Sequence, residues 1–202
     1  MSPQEKISIL DDAEAQVRRA TMRKRALAAR GATPVERRAV WEAAIMDHLD
    51  SLIAQLNPRV LAFCWPYRAE ADCRGWVERW LAGNANRVAA LPAVLEKDAP
   101  LIFRRWQPGA EMAPDRHGIP FPIHGEAVTP DVTLVPLNVF DARGYRLGYG
   151  GGYFDRTLAA MRVVAVGVGF ELGREIDVLP QAHDRAMHWL VTEAGVFRGA
   201  SA

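Results

Sequence analysis

The densest chemical signal in the chain is the run from Phe140 to Arg156, which reads FDARGYRLGYGGGYFDR. Glycine fills every position from 148 to 152 except Tyr149. Such a run lets the backbone take left-handed conformations and turn its N–H groups toward one point. It leads into a stretch that reads as helix, and a helix N-terminus favours anions. Arg146 and Arg156 stand ready to add forked, charged hydrogen bonds to phosphate oxygens. The pattern is neither GxxxxGK[ST] nor GxGxxG, because Tyr153 falls where the third glycine would stand. A tight turn between strand and helix is the plainer use of the same glycines.

Other groups able to do chemistry are scattered. At ~100° per residue, Arg19, Arg23 and Arg30 fall within roughly 40° of one another on a helix and form one basic stripe. Taken alone, such a stripe is also what a solvated face looks like. Asp155 follows the glycines, where an acid in a first helical turn favours the macrodipole. His183-Asp184 lies near the end of the chain and would equally serve a turn. Cys64 and Cys73 are the only cysteines and have no CxxC spacing. With no ligand spacing among the histidines, a structural zinc site is not indicated.

The elements that must position these groups follow from periodicity. Ile9, Leu10, Ala13, Val17 and Ala20 share one face of a helix running to Arg30, with Gly31 as its stop. Thr33-Pro34-Val35-Glu36 has the form of a capping box opening a second helix. Ile45, Leu49, Leu52 and Leu56 give that helix its apolar stripe up to Asn57-Pro58. Short apolar runs follow at 60–63, 88–91, 101–103, 132–135, 163–168 and 189–191. Runs polar on neither face predict strands covered on both sides. Helices are expected over 74–81 and 153–161. Alternation of this kind predicts an α/β fold: a three-layer αβα domain with a largely parallel sheet and an N-terminal helical pair, spanning 1–202 as one unit. The Pro- and Gly-rich stretch 108–130 reads as a long connection and a binding loop.

Composition narrows the class. The chain has 202 residues, half hydrophobic, with a formal net charge of +1. No overall field drives it onto nucleic acid or an anionic membrane, so an anion site must be local. No apolar run is long enough for a membrane span. A cytoplasmic monomer acting on a small molecule is the expectation.

The 140–156 run resembles the signature of the 5-formyltetrahydrofolate cyclo-ligases, a phenylalanine-aspartate pair, a glycine, then RLGYGGGYYDR. Only Phe154 differs. The resemblance extends in order and spacing over most of the chain, through Pro66-Tyr67-Arg68-Ala69-Glu70, Ala90-Leu91-Pro92, Gly118-Ile119-Pro120, residues 131–136, His183-Asp184 and Val191-Thr192-Glu193. It implies an enzyme that uses ATP and Mg²⁺ to convert 5-formyltetrahydrofolate to the 5,10-methenyl form. It implies Arg146 and the backbone of Leu147, Gly148, Tyr149, Gly150, Gly151, Gly152, Tyr153 and Phe154 as the triphosphate cradle. Arg19 and Arg23 would grip phosphates, with Arg19 standing where lysine is usual. Arg146 and Tyr153 would act at the reacting centre. Trp65, Glu70 and Tyr153 would bind the folate, and Asp155 and Asp184 the metal. Three positions depart from the family pattern: Phe121 stands where glutamate is common, Gly173 where glutamine is usual, and Asn138-Val139 where residues are small or apolar. Three other readings stay open: an ATP-binding paralogue redirected from folate, a nucleic-acid-binding protein using the Arg-rich first helix, and, on layered architecture alone, a phosphate-sugar isomerase or acyl-CoA enzyme.

Overall fold

The computed structural model describes residues 12–199. Ile9 and Leu10 lie outside the described residues. The first helix, α1 (Asp12–Ala32), runs through Gly31 rather than stopping there. Its expected apolar face is turned outward, with Val17 66% exposed. The inward face carries Arg19, Ala26 and Arg30, all buried. Arginine stems can cover apolar surface while their heads find partners, so a basic stripe serves as a packing face.

The second helix, α2 (Val35–Leu56), buries Ile45, Leu49 and Leu52 as their spacing requires. No capping box opens it. Pro34 holds the N-cap position without a side-chain cap. The Thr33 hydroxyl donates backward to the Ala29 carbonyl at 2.9 Å. With so short a link between the helices, Thr33 satisfies the end of α1 instead of the start of α2.

The rest of the chain runs β1 (Val60–Ala62), α3 (Arg74–Ala82), β2 (Val88–Ala93), β3 (Ile102–Trp106), β4 (Met112–Pro114), β5 (Pro120–Pro122), β6 (Val132–Pro136), β7 (Val139–Phe140), β8 (Arg146–Leu147), α4 (Tyr153–Ala160), β9 (Val164–Val168), β10 (Trp189–Thr192) and β11 (Gly195–Arg198). One seven-stranded sheet has the order β11-β10-β9-β6-β1-β2-β3. Its five central strands are parallel. The edge strands β3 and β11 are antiparallel to their neighbours. β11 has no apolar run to announce it and forms as the return arm of a hairpin with β10. The expected long connection over 108–130 contains the β4–β5 hairpin.

Both faces of the sheet are covered. Leu61, Phe63, Leu134, Val166 and Val191 pack on one side with residues of α2 and α3. Val135, Ala165 and Leu190 point to the opposite side, where Phe154 and Leu158 of α4 meet them. This is the three-layer arrangement that the two-sided apolar runs predict. Among the described residues no helix is long and apolar enough to cross a membrane.

One topological feature positions the site. β1 and β6 are neighbours, yet the chain leaves β1 through α3 on one face and leaves β6 through α4 on the other. The carboxyl ends of two strands whose connections diverge leave a crevice, the usual ligand position in sheets of this type.

Candidate active site

A cleft of about 630 Å³ opens at that point. Cys64 and Trp65 come from the end of β1, Pro136 and Asn138 from the end of β6. α1 crosses above with Arg19 and Arg23, and the glycine loop closes one wall. The tip of the β4–β5 hairpin contributes His117. The site residues inferred from the sequence line this cleft except Leu147, which is buried behind it, while Arg30 and Arg156 stand outside the lining.

The glycine loop follows the small β7–β8 hairpin and ends at α4. Gly150 and Gly152 have φ of 99° and 65°, a region that costs other residues about 1–2 kcal/mol. Gly152 sits at the N-cap of α4, so the first N–H groups of the helix follow directly. Arg23 of α1 donates from Nε to the Gly148 carbonyl at 3.0 Å. Burial first, and then the charge of Arg19, lower the pKa of its guanidinium. A cation in that state gains from an anion beside it.

Arg146 is buried and donates through Nη1 to Asp155 Oδ1 at 3.0 Å. The same nitrogen reaches the Arg185 carbonyl, while the Arg185 N–H donates to Asp155 Oδ1, both at 3.0 Å. The other carboxylate oxygen of Asp155 has no hydrogen bond among the described residues. Asp155 thus anchors the loop arginine and keeps one oxygen free.

Asp184 is differently employed. Arg19 meets it with two hydrogen bonds, Nη1 to Oδ2 at 2.6 Å and Nη2 to Oδ1 at 3.2 Å. The Gln181 N–H also donates to Oδ2. Burial works against its charge, but the donors from Arg19 and Gln181 outweigh it and hold the carboxyl below its ordinary range. The resemblance gives Arg19 to phosphate and Asp184 to the metal. In this geometry each is the other's partner, and a ligand must compete with a buried fork. No group of three or more His, Cys, Asp or Glu placed to hold a metal ion occurs among the described residues.

Glu70 lies beyond β1 in a turn where Arg68 and Ala69 have φ of 48° and 60°. Two consecutive non-glycine residues in the left-handed region signal a backbone held for a purpose. One Glu70 oxygen accepts the Tyr67 N–H at 3.0 Å and the other the Tyr149 hydroxyl at 2.7 Å. Arg30 donates to that hydroxyl at 2.8 Å and to the Arg68 carbonyl at 3.0 Å. Burial raises the Glu70 carboxyl despite these donors, and burial with the Glu70 charge raises the Tyr149 phenol. Arg30, Tyr149 and Glu70 therefore tie α1, the glycine loop and the Glu70 turn into one network. Nearby, Trp65 is partly buried under the Arg74 guanidinium.

Tyr153 packs its ring among Ala62, Ala90, Leu101 and Phe103. Its hydroxyl is 3.4 Å from His117 Nε2. The Arg156 guanidinium lies over the ring, its carbon 5.0 Å from the centroid.

The family model of 5-formyltetrahydrofolate cyclo-ligases matches residues 15–193, nearly the whole described chain. The chain belongs to the 5-formyltetrahydrofolate cyclo-ligase family. A 5-formyltetrahydrofolate cyclo-ligase of Haemophilus influenzae is 27% identical over 150 residues, 70% of this chain and 79% of that protein. One from Mycolicibacterium smegmatis is 38% identical over 109 residues, 48% of this chain and 54% of its own. The structure of a 5,10-methenyltetrahydrofolate synthetase from Aquifex aeolicus superposes with a TM-score of 0.78 at 28% identity, covering 89% of this chain and 92% of the other. A 5,10-methenyltetrahydrofolate synthetase from Mycoplasma pneumoniae, 20% identical, shares the fold with a TM-score of 0.72 over 87% of this chain and 98% of its own.

Against that family pattern, the three departures now have places. Phe121 lies on β5 beneath the Arg104 guanidinium. Gly173 lies in a short 3-10 turn where a Cβ would collide with the Asn138 carbonyl oxygen. Asn138 itself reaches the cleft floor. Reasoning from the sequence gave no part to His117, to the Arg30 side chain or to the Tyr149 hydroxyl. Arg30 carried a signal, being on the stripe of Arg19. The other two had none, because their partners lie 36 and 79 positions away.

Proposed function

We propose that this enzyme converts 5-formyltetrahydrofolate to 5,10-methenyltetrahydrofolate at the expense of ATP. The observation that carries the reading is the joining of two dissimilar subsites in one cleft. One has unneutralised positive charge and glycine backbone, and the other a buried carboxylate held by Tyr149 and Tyr67. A charged, forked and N–H-rich wall suits a triphosphate. A buried carboxylate suits the N–H-rich edge of a reduced pterin.

The formyl carbon is attached to nitrogen as an amide and is a poor electrophile. Transfer of the ATP γ-phosphoryl group to the formyl oxygen forms an O–P bond, breaks the bond to the β-phosphate and releases ADP. The neighbouring secondary amine, on the side chain next to the pterin, then attacks the activated carbon and loses its proton. The C–O bond breaks, and inorganic phosphate leaves with the electron pair. Positioning and charge neutralisation carry most of such a transfer. Arg23, Arg146 and the loop N–H groups supply the neutralisation. Glu70 fixes the pterin, with Trp65 lining its pocket, and Tyr153 presents a ring face and a hydroxyl beside the reacting carbon.

Mg²⁺ fits through Asp155, whose second oxygen is free, together with phosphate oxygens and water. When bound, the ion offsets phosphate charge. Asp184 fits less directly, through its hold on Arg19. The chain is expected to act as a single-domain cytoplasmic monomer that requires neither nucleic acid nor membrane.

The test follows methenyl absorbance in the near ultraviolet with purified protein, 5-formyltetrahydrofolate and MgATP. Absorbance should grow only with ATP and collapse in Asp155→Asn. A flat trace from folded protein that still binds ATP would transfer the reading to a redirected paralogue.

A further inference from the structure

Asn138 stands out among the residues that line the cleft. It is 4% exposed, and neither its Oδ1 nor its Nδ2 finds a hydrogen-bond partner among the described residues. A buried amide left in that condition is costly, and protein interiors rarely tolerate it without a reason. It sits at the carboxyl end of β6, across the β1–β6 switch point from Cys64, whose Sγ approaches the Leu134 carbonyl at 3.8 Å. The backbone around it is tightly fitted. Gly173 packs so closely on the Asn138 carbonyl that no side chain could replace its hydrogen. Gly173 and Asn138 are therefore in main-chain contact with each other.

We infer that Asn138 is a specificity-determining residue of this enzyme, pairing its side-chain amide with neutral carbonyl and N–H groups of the reduced folate ring system. The inference rests on the proposed folate-binding reading of the cleft. An amide offers donors and an acceptor side by side, and a reduced pterin carries the complementary neutral pair. A triphosphate offers only acceptors, so Oδ1 would face like charge there. The cations that would meet a triphosphate, Arg23 and Arg146, are already supplied by other elements. Gly173 keeps the amide in place by admitting its main chain to close contact.

Asn138→Leu places an apolar residue of similar size there and separates the two roles of the amide. In the full-length protein, equilibrium binding of 5-formyltetrahydrofolate without ATP should weaken about tenfold, the loss expected for neutral hydrogen bonds. MgATP affinity should stay within about twofold, and the melting temperature without ligand should rise by about 2–4 °C as the unpaired amide is removed. Asn138→Asp keeps the shape, removes the donors and should also weaken folate binding, which preserves the test if the leucine variant folds poorly. Unchanged folate affinity in a folded variant, a loss confined to MgATP, or a fall in affinity and melting temperature together would each overturn the assignment. Wild-type turnover separates the two readings. A wild type that turns over while both variants bind folate normally removes only the role of Asn138. A wild type that neither binds nor converts 5-formyltetrahydrofolate removes both.

Discussion

Arg19 and Asp184 meet as a buried fork that joins α1 to the 181–184 turn, with both side chains 5% exposed. Removing one partner strands the other as a lone buried charge. Arg19→Ala or Asp184→Asn should therefore cost about 3–5 kcal/mol at neutral pH. The folded carboxyl titrates below its ordinary value. Its contribution is thus present above the unfolded pKa of about 4 and is lost as pH falls through the folded one. Urea denaturation at several pH values should show wild type and Asp184→Asn converging in acid. Curves that stay parallel would deny the pair its role.

Arg23 should act on the nucleotide alone. Its Nε holds the Gly148 carbonyl, and its terminal nitrogens make no hydrogen bond among the described residues. Arg23→Gln should raise the KM for MgATP about 10–100-fold, the worth of a charge-assisted bond. The affinity for 5-formyltetrahydrofolate should stay near that of wild type. Steady-state kinetics with each substrate varied in turn would decide it.

Tyr149 links two walls of the cleft through one hydroxyl. Tyr149→Phe keeps the ring against Tyr67, whose centroid is 5.4 Å away, and removes only that link. Glu70 then loses a donor to its charged form, which raises its carboxyl further. Folate affinity should fall about tenfold and recover partly at higher pH, where Glu70 is again ionised. Binding titrations across pH would show this, whereas a purely structural role would give a pH-independent loss.

Gly173→Ala drives a methyl group against the Asn138 main chain. Overpacking of that kind costs about 1–3 kcal/mol, so the melting temperature should fall. If the floor of the folate site moves with Asn138, folate affinity should drop while MgATP affinity holds. Differential scanning calorimetry with two binding titrations checks both.

Much of the architecture was written in local pattern. Apolar runs without a polar face pointed to strands covered twice, and Leu134 with Val135 does point to opposite faces. The 4-3-4 spacing in α2 fixed its buried stripe. The glycine block announced a backbone site because side-chain sterics forbid other residues there, as Gly150 and Gly152 bear out. Where local pattern failed, a longer-range partner had won. Val17 was expected inward, yet Arg19 and Arg30 took that side because Asp184, Tyr149 and the Arg68 carbonyl were there to receive them. Thr33 is the exception, since it turned back to Ala29, a partner only four residues away.

The sequence by itself determined the helices, the central strands, the stripe that α2 hides and the stretch of backbone that can wrap an anion, because these depend on neighbours a few residues apart. Tertiary structure alone decided which charges remain free. Arg19 and Asp184 are separated by 165 positions and cancel each other; Arg23, one turn beyond Arg19, keeps its charge for a ligand. It also placed Asn138 on the cleft floor without a partner, since burial and hydrogen bonding are properties of the assembled sheet ends rather than of any stretch of chain.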